Sequence, residues 1–562
     1  MIKRLLSFLS FVALGVCPCP GAGPVDSIRI LLPPNPGPIT LRASAILHRQ
    51  ITGRCEARVS TNGLAGCSVE LALRPGIGTE GYRISDGPNG LIQITGSDER
   101  GLLYGAGRFL RDSRYDDGGR FTPGSWRGSS APKSPMRGIY LATHFNNFYE
   151  AAPPEELDHY VEDLSLWGFN LLALAYPHWQ YSGPDDPAAR KMSDHLKRII
   201  RVAKQVGMRV TLGDALNGGF TSTPKELRST PVADPLGRHG NFGVNLCPSK
   251  PAARELLLKN WALMMDEFAD PGPDCVTYWP YDEGGCGCQD CQPWGAKGYI
   301  RLARDVSALV HRKSPGTRIL LSTWTFDTPP CGEWAALESA LAKDRSWADY
   351  IQADAHENFP TFPLEQGVPG GLPLLNFPEI SMWGQNPWGG YGANPLPARL
   401  QRLWNQTRGK LSGGTPYSEG IYEDLNKAIC SQLYWNPERP TIETVREYAS
   451  FEFSPAVASD VVKVVEIFEK NHVRQEIGPV SEEAFNTAKA IDARLSPQAR
   501  NAWRWRIIFL RALIDHELFK THGKLEGKPL QEAFQELTSI YHAGNAHSMP
   551  IRPPQVKDPG PK

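Results

Sequence analysis

The stretch YWPYDEGGCGCQDCQPW, residues 278–294, sets an acidic pair, two glycines and three cysteines in one loop-sized segment. Asp282 and Glu283 offer two carboxyls, enough for one to protonate a leaving oxygen and another to act as base or to orient a nucleophile. Cys286, Cys288 and Cys291 have the spacing of thiolate ligands. Three thiolates do not close a tetrahedral zinc site, but Cys247, in NLCPSKP, supplies a fourth. Four thiolates leave no open coordination position, so zinc held there would be structural. It would pin the loop carrying Glu283 to the loop before it. The alternatives are a disulfide, for example between Cys247 and one member of the cluster, or free thiols.

Further carboxyls recur where strands must end. From Arg137 the chain alternates apolar runs with amphipathic segments: RGIYLAT, FNLLALAYP, MRVTLGD, CVTYWPYDE, RILLSTWT, DYIQADA, GLPLLNFPEI and GGTPYSEGIY, separated mostly by helical patterns. Eight such strands predict a (β/α)8 (TIM) barrel over residues 137–425, with its active site at the strand C-terminal ends. Asp354 follows the sixth strand, Glu379 the seventh, and Glu419 and Glu423 the eighth. His144, Asn146 and Asn147 follow the first, His178 and Trp179 the second, Asp214 and Asn217 the third. Trp324 and Trp383 follow the fifth and seventh. Asp282, Glu283, Asp354 and Glu379 are the candidate catalytic groups. His144, Asn146, His178, Trp179, Trp324, Trp383 and Glu419 are candidate substrate contacts. Any one of them could equally cap a helix or brace a loop. Carboxyls, neutral amides and Trp converging on one rim are what glycoside hydrolysis requires. No GxSxG, HExxH or P-loop pattern occurs.

The flanking segments complete the plan. Residues 1–23 carry Lys3 and Arg4, then an apolar run too short to span a bilayer, and read as a signal peptide; the mature chain is expected to be secreted or periplasmic. Residues 26–113 form a small α/β domain, residues 114–136 a linker, residues 426–545 a helical C-terminal domain, and residues 546–562 a disordered tail. Two of the 11 cysteines lie in the leader. Cys55 and Cys67, flanking a short polar turn, are expected to pair. Lys+Arg and Asp+Glu are both 60, which argues against a nucleic-acid partner. No other run is long enough for a membrane helix. The oligomeric state is not encoded in any visible pattern.

GYRISDGPNGLIQITGSDERGLLYGAGRFLRD, residues 81–112, resembles the N-terminal domain shared by family 20 β-hexosaminidases and family 67 α-glucuronidases. In both families a barrel follows, and in the second a helical domain follows the barrel. NLCPSKP and DEGGCGCQDC resemble a third, poorly characterised bacterial family of the same architecture. The resemblance covers roughly residues 27–453. It implies an exported glycoside hydrolase acting on oligo- or polysaccharides, β-N-acetylhexosaminidase-like or α-glucuronidase-like. It also implies a carbohydrate substrate and no organic cofactor. Both analogies make Glu283 the general acid. They differ on its partner: Asp282 if a 2-acetamido group is the nucleophile, Asp354 or Glu379 if a water is activated. The His-x-Gly-Gly that precedes the Asp-Glu pair in family 20 is missing. The competing expectation is a carbohydrate-binding protein on a degenerate barrel.

Overall fold

Alternation becomes geometry in the barrel. The computed structural model describes residues 23–63, 65–145, 147–231, 244–282, 284–326, 332–382, 384–407, 409–546 and 552–558. Residues 1–22, and with them almost all of the expected leader, lie outside the described residues, as do Asn146, Glu283 and Trp383.

The N-terminal sheet holds β1 (Ser27–Leu31), β2 (Arg58–Ser60), β3 (Cys67–Leu73), β4 (Tyr82–Asp86) and β5 (Leu91–Gly96). β6 (Arg114–Asp117) and β7 (Arg120–Thr122) form a separate hairpin, and β8 (Gly128–Ser130) joins the sheet beside β4. The segment expected to be a linker is therefore structured: its polar residues pair with an open sheet edge. Helix Glu99–Asp112 begins where the Asp98 carboxylate accepts the Gly101 N–H at 2.8 Å. It buries Leu102, Leu103, Phe109 and Leu110.

Nine strand segments close the barrel: β9 (Met136–Leu141), β10 (Leu171–Ala175), β11 (Arg209–Ala215), and, after the small β12–β13 ribbon (Gly218–Gly219, Val244–Asn245), β14 (Cys275–Trp279), β15 (Arg318–Ser322), β16 (Tyr350–Asp354), β17 (Leu374–Phe377), β18 (Gly413–Gly414) and β19 (Tyr417–Ser418). β18 and β19 are halves of one strand, and both pair with β9, which also pairs with β10. Eight parallel strand positions thus form a closed ring. Residues two apart share the interior. Met136, Leu171, Leu320 and Leu375 fill its lower end. Above them Thr211 meets Thr277 at 2.8 Å, and Gln352 donates to Thr415. Tyr140, Ala142, Ala173, Ala175, Trp279 and Phe377 form the upper layer.

Helices follow the strands in turn, the sixth reduced to Thr361–Glu365. Helix Asp424–Trp435, expected in the C-terminal domain, is the barrel's eighth. Every residue in it is buried, because further helices pack over it. Arg504 of helix Trp503–Lys520 bonds Asp424 at 2.8 Å, tying that helical layer to the barrel. At the opposite end, buried Arg137 pairs with Glu80 of the N-terminal domain and donates to the Gly168 carbonyl at 2.7 Å.

Two further expectations are corrected. Cys55 and Cys67 are buried free thiols rather than a disulfide, and Cys55 Sγ bonds the Ile51 carbonyl at 3.3 Å. Part of the tail expected to be disordered runs back along the last helices: Lys557 N–H donates to the Leu525 carbonyl at 2.9 Å, a pairing local composition does not signal. Among the described residues no helix is long and apolar enough to cross a membrane.

Candidate active site at the barrel mouth

The loop after β14 leaves the strand at Pro280 and is braced on every side. The Trp294 indole donates to the Pro280 carbonyl, the Tyr281 phenol to Glu333, and Gly295 N–H to the Tyr281 oxygen at 3.1 Å. Asp282 takes φ 68°, a left-handed backbone that Asp tolerates better than most residues. Asn217, from the loop after β11, clasps Gly285 in both directions: Nδ2 donates to its carbonyl at 2.8 Å, and Oδ1 accepts its N–H at 3.0 Å. The same Nδ2 reaches the Leu246 carbonyl at 3.0 Å. The chain on both sides of position 283 is thus fixed. Thr325 and Met382, in the loops after β15 and β17, also carry positive φ, so among the described residues three of the seven non-glycine residues in that region follow barrel strands. Strain of this kind gathers where surroundings over-determine a backbone, often at functional sites.

Inside the mouth, strand parity directs Trp279, Phe377, Tyr140 and Tyr417 toward the axis. Trp279 and Phe377 lie 5.0 Å apart, ring to ring, and half-buried Trp324 stands 6.0 Å from Trp279. His356 packs edge-on to Trp324 at 4.4 Å. Its N–H donates to Asp354 Oδ1 at 2.9 Å, and its Nδ1 lies 2.9 Å from the same oxygen. Asp354 keeps 22% of its side chain exposed. Burial raises the Asp282 carboxyl to about 6, an effect the nearby His356 ring partly opposes.

Glu379 is engaged by its own loop. It accepts from Ser381 N–H, Ser381 Oγ and Met382 N–H, the last at 2.8 Å. Glu419 is different. Its Oε1 accepts the Tyr417 hydroxyl at 2.7 Å, and its Oε2 has no partner among the described residues. Burial lifts it to about 8, with the Glu379 and Glu423 charges adding to the effect. Glu423, also raised to about 8 by burial, accepts the Glu419 N–H at 2.9 Å. Behind it lies buried Lys427, whose ammonium donates to Tyr149 at 2.9 Å and to the Gly420 carbonyl at 2.7 Å.

His144 is buried beside Tyr140, and desolvation lowers it to about 3, which makes it a neutral ring. Trp179 lies 6.2 Å from it. His178 is turned elsewhere. It is ion-paired with Asp214, whose place between the inward positions Gly213 and Ala215 of β11 directs it outward, toward the helices. The expected contact set therefore divides: His144, Trp179, Trp324 and Glu419 stay at the mouth, and His178 faces its flank. Trp279, Phe377, Tyr417, Asn217 and His356 complete the site. Counting alternate positions on β14 and β17 would have marked Trp279 and Phe377. Nothing local marks His356.

Beneath the acidic loop, Cys247, Cys286, Cys288 and Cys291 place their sulfurs within 4.8 Å of one another, and Cys247 and Cys288 are 3.6 Å apart. A tetrahedral zinc with Zn–S of about 2.3 Å needs sulfurs ~3.8 Å apart, so the cluster fits a metal. The hydrogen bond from Cys291 holds Cys286 down at about 4 and pushes Cys291 up. Ser249 Oγ stands 2.9 Å from Cys291 Sγ, and Arg301 donates to that hydroxyl at 3.0 Å, an outer layer that favours thiolate.

No family model and no curated protein matches the chain. Solved structures do. A family GH115 4-O-methyl-α-glucuronidase with specificity for decorated arabinogalactans aligns over 92% of this chain and 76% of its own, with 11% identity and a TM-score of 0.62. A GH138 enzyme targeting pectin rhamnogalacturonan II aligns over 92% and 90%, with 11% identity and a TM-score of 0.55. A family 20 β-N-acetylglucosaminidase aligns over 78% and 93%, with 14% identity and a TM-score of 0.50. The chain has the (β/α)8 fold found in these glycoside hydrolases.

Proposed function

We propose that this protein is a glycoside hydrolase that cleaves O-glycosidic bonds in oligo- or polysaccharides. The observation that carries the reading is one rim, lined by Trp279, Trp324 and Phe377, that gathers the carboxyls of Asp282, Asp354, Glu379 and Glu419. Several carboxyls in different surroundings on one aromatic rim are what acid–base cleavage of an acetal draws on. The likeness to carbohydrate-active barrels supports the same class.

In this reading Glu283 is the general acid, on a loop held by Asn217 and the cysteine cluster. Asp354, engaged by His356 on one oxygen and reachable by solvent, is better suited to activate a water than Glu379, whose loop donors occupy it. Glu419, neutral, donates a hydrogen bond to a sugar hydroxyl, and Trp324 and Trp279 present faces to the ring. The cysteines hold a structural zinc that stiffens the acid's loop. The chain is exported by its leader. Release of reducing sugar from a panel of plant and bacterial glycans tests the reading. Failure of every glycan and aryl glycoside would replace hydrolysis with binding alone.

A further inference from the structure

A second cavity opens on the barrel's flank, between helices Pro187–Gln205 and Pro251–Glu267. Its volume is about 390 Å³, inside the ~300–1,000 Å³ range of small-molecule sites. Tyr176, Phe220 and Trp261 line it, and Leu263, one of the few large apolar residues left exposed, stands at the rim. Its polar lining includes the His178–Asp214 pair and Asn260.

Two of those groups are unfulfilled. Asp214 is 3% exposed, yet its Oδ1 accepts no hydrogen bond among the described residues. Asn260 is itself half-buried, and its Nδ2, out of solvent, donates to none among the described residues. Leaving such atoms bare is unfavourable, so they call for an occupant. One needs a donor and the other an acceptor. The charges facing the space cancel in pairs: His178 with Asp214, Lys197 with Glu267 at 2.6 Å, and Asp266 with Lys313 at 2.6 Å. Neither an anion nor a cation gains from entering. Hydroxyls both donate and accept, and the C–H face of a pyranose packs on aromatic rings.

We infer that this flank cavity is a second saccharide-binding site, taking one neutral sugar residue with hydroxyls on Asp214 Oδ1 and Asn260 Nδ2 and its apolar face on Phe220. Trp179, whose ring lies 5.8 Å from His178 and 6.2 Å from His144, stands between it and the mouth. A branched or bent glycan could therefore occupy both. The inference does not depend on hydrolysis at the mouth, because the probe is binding alone.

The test uses the full chain with glucose, galactose, xylose and arabinose, one at a time, by saturation-transfer NMR and by crystal soaking. At least one sugar should appear in the flank cavity. Its binding should weaken about fivefold to tenfold in Asn260→Leu, as for one lost hydrogen bond, and persist in Trp324→Ala at the mouth. Leucine suits a helix, and circular dichroism verifies the fold. Only ordered water in the cavity with all four sugars, binding indifferent to Asn260→Leu, or binding abolished by Trp324→Ala would each overturn the inference.

Discussion

The Tyr417 hydroxyl donates to Glu419 across 2.7 Å, while the second oxygen of that buried carboxyl has no partner among the described residues. One donor does not repay the loss of water, so the acid stays neutral where an exposed glutamate would be charged.

That proton has a consequence for stability. Glu419 moves from an ordinary value of 4.5 to about 8 on folding. Between those values the native state holds a proton the unfolded chain has lost, so stability falls as pH rises through the window. Thermal unfolding from pH 5 to pH 8 should show this decline, worth of order a few kcal/mol. In Glu419→Gln the slope should flatten, with Glu423 and Asp282 among the groups that keep part of it. Parallel curves for the two proteins would contradict the assignment.

Activity should trace a bell. On 2-acetamido substrates, where Asp282 would orient the nucleophile, that carboxyl, raised to about 6, must lose its proton, so rate on them climbs through that pH. Glu419 must keep its proton to donate, so rate drops above about 8. The pH dependence of kcat/KM measures both limbs. Asp282→Asn should erase the acid limb, and an unchanged limb would mean another group governs it.

Glu283→Gln should lower kcat by ~10²–10⁴-fold on substrates with poor leaving groups while leaving thermal unfolding unchanged. With Asp354 as base the first product should have inverted configuration, read by NMR early in turnover. Retention confined to 2-acetamido substrates would transfer the role to Asp282.

Protein prepared without added metal should contain about one zinc per chain, and Cys247→Ser should lose it together with thermal stability. Elemental analysis decides this. Metal-free protein with disulfides at Cys286, Cys288 or Cys291 by mass spectrometry would remove the metal.

Asn217→Ala removes the two-way clasp on Gly285 and the bonds from the same amide to Leu246 and Ser229. We expect a loss of about 1–3 kcal/mol in stability and a fall in kcat larger than any change in KM, with zinc content unchanged. Equal kcat in variant and wild type would show that the loop does not need the clasp.

The order of the barrel strands was legible in the sequence because alternation of apolar runs and amphipathic segments is a local property. The four-cysteine set was legible too, since thiolate spacing within residues 286–291 is local and the resemblance of NLCPSKP to a family with that pair of motifs added Cys247. Strand-end carboxyls could be enumerated, but not ranked. Ranking needed the tertiary structure, because a carboxyl's charge depends on what surrounds it in space. Glu379 and Glu419 are both buried acids after barrel strands; one finds loop donors, the other a single phenol. His178 and Trp179 are adjacent in the chain, yet the turn after β10 places His178 on Asp214, on the outward side of β11. Cys55 and Cys67 are close in sequence and unpaired in the fold, while β8 turns an apparent linker into a sheet edge. Pattern fixes which residues can face inward. Only closure of the ring, which brings residues from distant strands together, decides what each one meets there and therefore which protons it keeps.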